Sequence, residues 1–393
     1  MAEKRRGLIV VLIDTFLMWG GFFMVIPLVS VHYVNGLGWS AASVGLVLAV
    51  RQFTQQGMTP ASGVLADRLG AKGLICAGLG LRAAGFALMA AATSYPLLMA
   101  SAVLAAVGGG LFESPKYAAT AALTDERNRQ RFYSIVGVLG GLGVTAGTQA
   151  GALLLRADFA LVALGSACCF AVASLVTFLF LPNVKVATEK RGLTYGLSLA
   201  LRDRPFIVFS VLLVGYWFLW VQFLISLPLA ATSLGNPSAV SWMYAINSGM
   251  TVFLGYPVLR LSERYLQPLQ ILTLGVVLMG LGYGGVALAS GVPVLLMCVV
   301  LISGGVLLAF PSQQTVTANL ANPASLGSYF GVSALALAIG GGLGNLSGGL
   351  LYDAGRSLDV PALPWLVFCA VGLLTATGLG TMAVRRVASS SAE

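Results

Sequence analysis

Glu113 and Lys116 stand three residues apart, and they are the only charged residues between Met99 and Leu123. That spacing puts both on one face of a helix. A charged side chain at the centre of a bilayer costs about 2.5–3.5 kcal/mol on insertion scales. Such residues persist only where they pair, line a wet cavity, or do both. Asp14, Arg51 and Arg82 lie in neighbouring apolar segments, all in the first half of the chain. The chemistry open to this set is proton exchange. Burial disfavours the charged form of a carboxyl, and a nearby cation favours it. A carboxyl whose distance to a cation differs between two conformations therefore takes up and returns a proton. Glu113 is the expected carrier, with Asp14 as its partner or a second carrier. The plainer alternative is a neutralised network that pins the first helices. In either case three bases face two acids, so at least one base needs another partner or water.

The elements that must hold these residues are membrane helices. The chain has 393 residues, 58% of them hydrophobic and 9% charged, with a mean hydropathy of +0.91. Soluble domains carry about 25% charged residues. Twelve apolar segments are long enough to span: 8–34, 41–65, 73–93, 96–122, 132–155, 159–181, 205–232, 238–261, 267–289, 293–318, 328–351 and 361–384. Helices and closed barrels alone satisfy the backbone in lipid, and no barrel-like alternation occurs. The start, Lys4-Arg5-Arg6 followed by an apolar run, is expected to be the first span and not a cleaved leader.

Seventeen Lys and Arg fall on one side of these spans, and only Arg156 and Arg356 on the other. By the positive-inside rule both termini are expected in the cytoplasm. The formal charge of +9 is thus spent on topology and builds no nucleic-acid surface. His32 is the only histidine and is expected at the surface. Its solitude excludes paired-His metal sites and most triad chemistry, so neither enzyme activity nor a metal is expected. No phosphate-binding loop of the G-x-x-x-x-G-K-[ST] type occurs, so ATP and other cofactors are not expected. The five cysteines all lie in apolar segments, which predicts free thiols.

The long polar connection after the sixth span divides the chain into residues 1–181, a linker 182–204, and residues 205–393. The halves repeat each other. Gly143, Gly147 and Gly151 recur as Gly340, Gly344 and Gly348, each pair 197 positions apart. Small residues at four-residue spacing let helices pack closely, and packing alone accounts for them. A duplicated six-helix unit is the parallel-repeat plan of secondary transporters. The second half supplies neutral polar groups, Gln222, Asn247, Gln313 and Gln314, with Tyr216, Trp217, Trp220 and Trp242 nearby. Such groups suit a flat amphipathic ligand; helix packing and interfacial aromatic belts are the alternative reading.

Gly63, Asp67, Arg68, Gly70 and Lys72, between the second and third spans, resemble the G-x-x-x-D-[RK]-x-G-[RK]-[RK] signature of the major facilitator superfamily, with Ala71 at the departing position. The resemblance implies an inner gate latch there. In the superfamily's helix 5 antiporter motif, Thr148 stands where proline is expected and Ala152 where the last glycine is expected. The match narrows at Arg51-Gln52-Phe53, Gln55-Gln56-Gly57, Arg82-Ala83-Ala84-Gly85-Phe86 and Trp242-Met243-Tyr244-Ala245-Ile246. These stretches resemble the MdtH-type multidrug resistance transporters of the drug/proton antiporter branch. What this implies is a bacterial inner-membrane exporter of amphipathic drugs in exchange for protons, expected as a monomer in the lipid bilayer and working by alternating access around a cavity between helices 1, 4, 7 and 10. The helix 4 arginine of wider antiporters would fall near Ala105, so Arg51 or Arg82 is the expected substitute. A metabolite or sugar exporter of the same fold is the runner-up, and a non-transporting membrane sensor the third reading.

Overall fold

Hydropathy this high leaves the backbone one solution, and among the described residues every regular element is helical. The computed structural model describes residues 2–124, 126–183, 193–234, 238–322 and 326–390. In the first half α1 (Ala2–Ser30) continues as a π-helical stretch, Val31–Gly36. There follow α2 (Ala41–Leu69), α3 (Ala71–Ala90), α4 (Tyr95–Leu123), α5 (Glu126–Leu155) and α6 (Phe159–Phe180). A short α7 (Leu193–Arg202) precedes α8 (Arg204–Gln222) and α9 (Ser226–Ser233), then α10 (Ala239–Gly249) and α11 (Gly255–Glu263). The chain closes with α12 (Pro268–Val286), α13 (Val292–Leu320), α14 (Leu326–Ser357) and α15 (Leu363–Ser390).

Ten helical segments among the described residues are long and apolar enough to cross a membrane. The other two expected spans are α2, diluted by Arg51, Gln52, Gln55 and Gln56 at its middle, and α10–α11. Two expected single helices are broken. The seventh span turns at 223–225, just before Pro228, and the eighth passes through a π-helical stretch, Met250–Leu254, just before Pro257. Proline removes one helical N–H and crowds the preceding turn, which accounts for both interruptions. All five cysteines are free thiols.

The chain forms two compact units, Met1–Gly38 with Val47–Lys190, and Trp39–Leu46 with Arg191–Glu393. Within the first, α1 packs on α5, α3 on α4, and α3 on α6; within the second, α8 packs on α14, α12 on α13, and α12 on α15. The same glycines make the same approaches in both. A Cβ at Gly108 would meet the Gly78 carbonyl oxygen at 2.5 Å, and one at Gly305 would meet the Gly275 carbonyl oxygen at 2.5 Å. Both members of that contact are 197 positions apart, so the repeat is one of packing as well as sequence.

The first turn of α2 belongs to the second unit. Asp353 of α14 accepts hydrogen bonds from the Ala41 and Ala42 amides at 3.0 and 2.8 Å and from the Ser40 hydroxyl at 2.7 Å. A carboxylate on the free N–H groups of a helix start is the usual stabilising cap. Asp353→Ala is expected to cost about 1–2 kcal/mol, seen as a lower melting midpoint in detergent, with Asp353→Asn losing less.

Candidate functional site

In the first unit the five charges within apolar helices divide into two groups. The first lies on α2, α3 and α4. Arg51 donates through Nη2 to Gln52 Oε1 at 3.1 Å and through Nη1 to Gln55 Oε1 at 3.2 Å. Gln55 donates in turn through Nε2 to Glu113 Oε2 at 3.3 Å. Glu113, half-buried, therefore meets Arg51 through a neutral amide rather than directly. Gln55 stands one helical turn from Arg51, which is why one side chain can bridge base and acid.

Arg82, buried on α3, supplies the base in need of a different partner. Its guanidinium sits among four phenylalanine rings, 5.0 Å from the centroid of Phe22, 5.1 Å from Phe170, 5.6 Å from Phe112 and 5.9 Å from Phe86. The Arg51 guanidinium lies 5.3 Å from the centroid of the same Phe22 ring. Ring faces attract a cation, by about 2 kcal/mol or more when desolvated. Arg82 also reaches α4. A Cβ on Gly109 would meet its Nη1 at 2.5 Å and Gln55 Oε1 at 2.9 Å. Ala105, one turn earlier on α4, is packed against Gly85 of α3 and has no room for an arginine. The guanidinium on the α4 surface thus comes from the neighbouring helix.

The second group joins α1, α4 and α6. Thr177 donates its hydroxyl to Asp14 Oδ2 at 2.6 Å. Lys116 donates to Thr15 Oγ1 at 2.9 Å and lies 3.5 Å from the Met18 sulfur. Its ammonium is within electrostatic reach of both Asp14 and Glu113, which places it between the two groups. Among the described residues Asp14 Oδ1, Arg51 Nε and Arg82 Nε are buried without a hydrogen-bond partner. Buried polar atoms left open are costly and mark places where water or a proton is accommodated.

Sequence reasoning missed Thr177 and the phenylalanine box. Thr177 is 163 positions from Asp14, and a phenylalanine in an apolar helix carries no local sign of facing a cation. Of the loop signature, the side chains of Gly63, Asp67 and Arg68 lie outside the described residues. Gly70 joins α2 to α3 at φ 86° and ψ 144°, a conformation that only glycine adopts freely. Lys72 places its ammonium 6.0 Å from the centre of the Phe178 ring.

In the second unit Tyr216, Trp217 and Trp220 form a run of rings on α8, with centroids 4.8 and 5.6 Å apart. Phe310 of α13 meets Trp217 edge-on at 6.4 Å, and Gln314 lies exposed one turn beyond it. Tyr216 and Trp217 are buried, and their hydroxyl and indole N–H are without a partner among the described residues. Trp242 is exposed, Asn247 half-buried and Gln313 buried. Gln222 departs from the expected ligand-facing role. It is fully buried, donates to the Phe218 and Gly344 carbonyls at 3.0 and 2.9 Å, and accepts from Ser226 at 2.7 Å. Its amide is consumed in joining α8 to α14. His32 is half-buried and stacks on Phe159 at 4.2 Å.

The glycine stripes take up the helix contacts expected of them. Cβ atoms at Gly143, Gly147 and Gly151 would run into the carbonyl oxygens of Phe16, Gly20 and Met24 on α1. Those at Gly340, Gly344 and Gly348 would meet Val214, Val221 and Gln222 on α8.

A membrane-crossing all-helical chain, duplicated in sequence and packing and holding a buried charge network in one unit, defines a polytopic protein of the two-bundle transporter class. The chain belongs to the major facilitator superfamily, whose family model matches residues 11–345 and 208–390. The multidrug resistance protein MdtH of Yersinia enterocolitica is 39% identical over 377 residues, covering 96% of this chain and 94% of its own. The MdtH protein of Photorhabdus laumondii is 39% identical over 373 residues, covering 95% and 93%. Among solved structures, a POT family transporter in complex with 5-aminolevulinic acid superposes with a TM-score of 0.79 at 16% identity, over 97% of this chain and 96% of that one. The nucleoside transporter NupG superposes at 0.78 with 17% identity, over 96% and 99%. At such identities the likeness to the solved structures is one of fold.

Proposed function

We propose that this protein exports amphipathic drugs in exchange for protons by alternating access. The observation that carries the reading is the Arg51–Gln55–Glu113 chain with Arg82 beside it, inside apolar helices of the first unit. The kinship with multidrug resistance proteins supports the substrate class. Glu113 carries the proton, Asp14 is its partner or a second carrier, and Arg51, Arg82 and Lys116 set the balance between charged and neutral carboxyl. Arg82 takes the place of the helix 4 arginine, supported by its position against Gly109. Trp217, Trp220, Phe310 and Gln314 offer stacking and one amide to a flat ligand, with Trp242, Asn247 and Gln313 as further candidates. Gly63, Asp67, Arg68, Gly70 and Lys72 form the gate. The protein is a monomer of the bacterial inner membrane with both termini cytoplasmic, driven by the proton gradient alone with no cofactor.

Proton and drug must favour different states or compete for one site. Drug added to purified, weakly buffered protein in detergent is therefore expected to release protons. Drug binding without proton release excludes direct competition and favours the metabolite-exporter reading.

A further inference from the structure

A groove of about 860 Å³ opens along α1 and α6 of the first unit. Its mouth is formed by Lys4, Arg5 and Arg6, and its walls by Ile9, Ile13, Val176 and Phe180. Leu123 of α4 closes one side, where it packs on Gly7; a Cβ at that glycine would meet it at 2.9 Å. Ile9, Ile13 and Phe180 are exposed. The volume falls within the range of roughly 300–1,000 Å³ usual for ligand sites.

We propose that this groove binds an anionic phospholipid, with its phosphate at Lys4, Arg5 and Arg6 and an acyl chain against the apolar walls. Three lines converge on that occupant. The mouth carries three bases against one acid, Glu3, so it favours a negative headgroup over a zwitterionic one. The depth agrees with a lipid. From Lys4 to Ile13 the helix rises about 14 Å, so base and apolar wall are separated as headgroup and acyl chain are. The level agrees as well. With 29 residues α1 is about 43 Å long, against about 30 Å of hydrocarbon, so its first turns stand in the headgroup layer. Basic pockets between membrane helices suit such headgroups. A merely topological role for the three bases needs no apolar recess leading away from them. The inner end of the groove, Ile13 and Val176, adjoins Asp14 and Thr177, whose hydrogen bond joins the same two helices. A seated lipid braces that junction.

The test is native mass spectrometry of the full chain in neutral detergent, titrated with phosphatidylglycerol and with phosphatidylcholine. Each base contributes about fivefold near a membrane surface, so the wild type is expected to retain phosphatidylglycerol at least tenfold better. Lys4→Gln, Arg5→Gln and Arg6→Gln together are expected to erase that preference. Ile9→Trp, which fills the groove and leaves the bases in place, is expected to reduce phosphatidylglycerol retention about as far, and it carries the test if the triple variant does not fold. A preference that survives in the triple variant overturns the proposal, as does wild-type retention by Ile9→Trp. Millimolar inorganic phosphate displacing the lipid completely would show an anion site without a working groove, and would also overturn it.

Discussion

Glu113→Gln is expected to make drug affinity independent of pH. If the proposed exchange holds, drug binding to the wild type expels a proton, so the dissociation constant falls as pH rises and the free carboxyl becomes charged. The coupling between two such ligands is worth about 5–150-fold in affinity. Glutamine keeps the size and can still accept from Gln55 Nε2, which donates to Glu113 at 3.3 Å, but it has no proton to exchange. Drug binding should then persist at one affinity across the range, with no proton released, and gradient-driven export in proteoliposomes should be lost. Fluorescence titration at several pH values beside a proton-release assay separates the outcomes. Asp14→Asn is expected to weaken the pH dependence less, because Asp14 shares its carboxylate with Thr177 and not with the Gln55 chain. If only Asp14→Asn abolishes release, the carrier belongs on α1 and Glu113 tunes it.

Gly147→Leu is expected to be the most destructive single change in the glycine stripes. Even a Cβ there would run into the Gly20 carbonyl oxygen, a rigid backbone atom. Overpacking costs typically 1–3 kcal/mol and sometimes more, and here a whole isobutyl group must be accommodated by parting α1 from α5. α1 also carries Asp14, Thr15 and Phe22, so the separation strikes the charge network as well as stability. Gly344→Leu should do the same to α8 and α14, and should break the Gln222 amide's bond to the Gly344 carbonyl. Gly137 provides the control. No atom lies within 4 Å of a Cβ built there, and Gly137→Ala gains up to about 1 kcal/mol of helix propensity. Yield of monodisperse protein and the melting midpoint in detergent should fall sharply for Gly147→Leu and hold for Gly137→Ala. Equal loss in both would refute the packing argument.

What the sequence determined by itself is whatever follows from local rules. Hydropathy requires helices because lipid offers the backbone no other partner, and a 197-residue offset between glycines exposes the repeat. Glu113, Asp14, Arg51, Arg82 and Lys116 were visible because charge in an apolar helix is costly wherever it lies. The breaks at Pro228 and Pro257 were readable in principle, since proline acts on its own turn. Tertiary structure decided which partners those charges have. Gln55 lies between Arg51 and Glu113, Thr177 holds Asp14, and four phenylalanines from α1, α3, α4 and α6 surround Arg82. Gln222 looked available to a ligand and is instead locked between α8 and α14. The physical reason is the same in each case. A helix period fixes which face a residue occupies, but nothing within one helix states which other helix that face will meet.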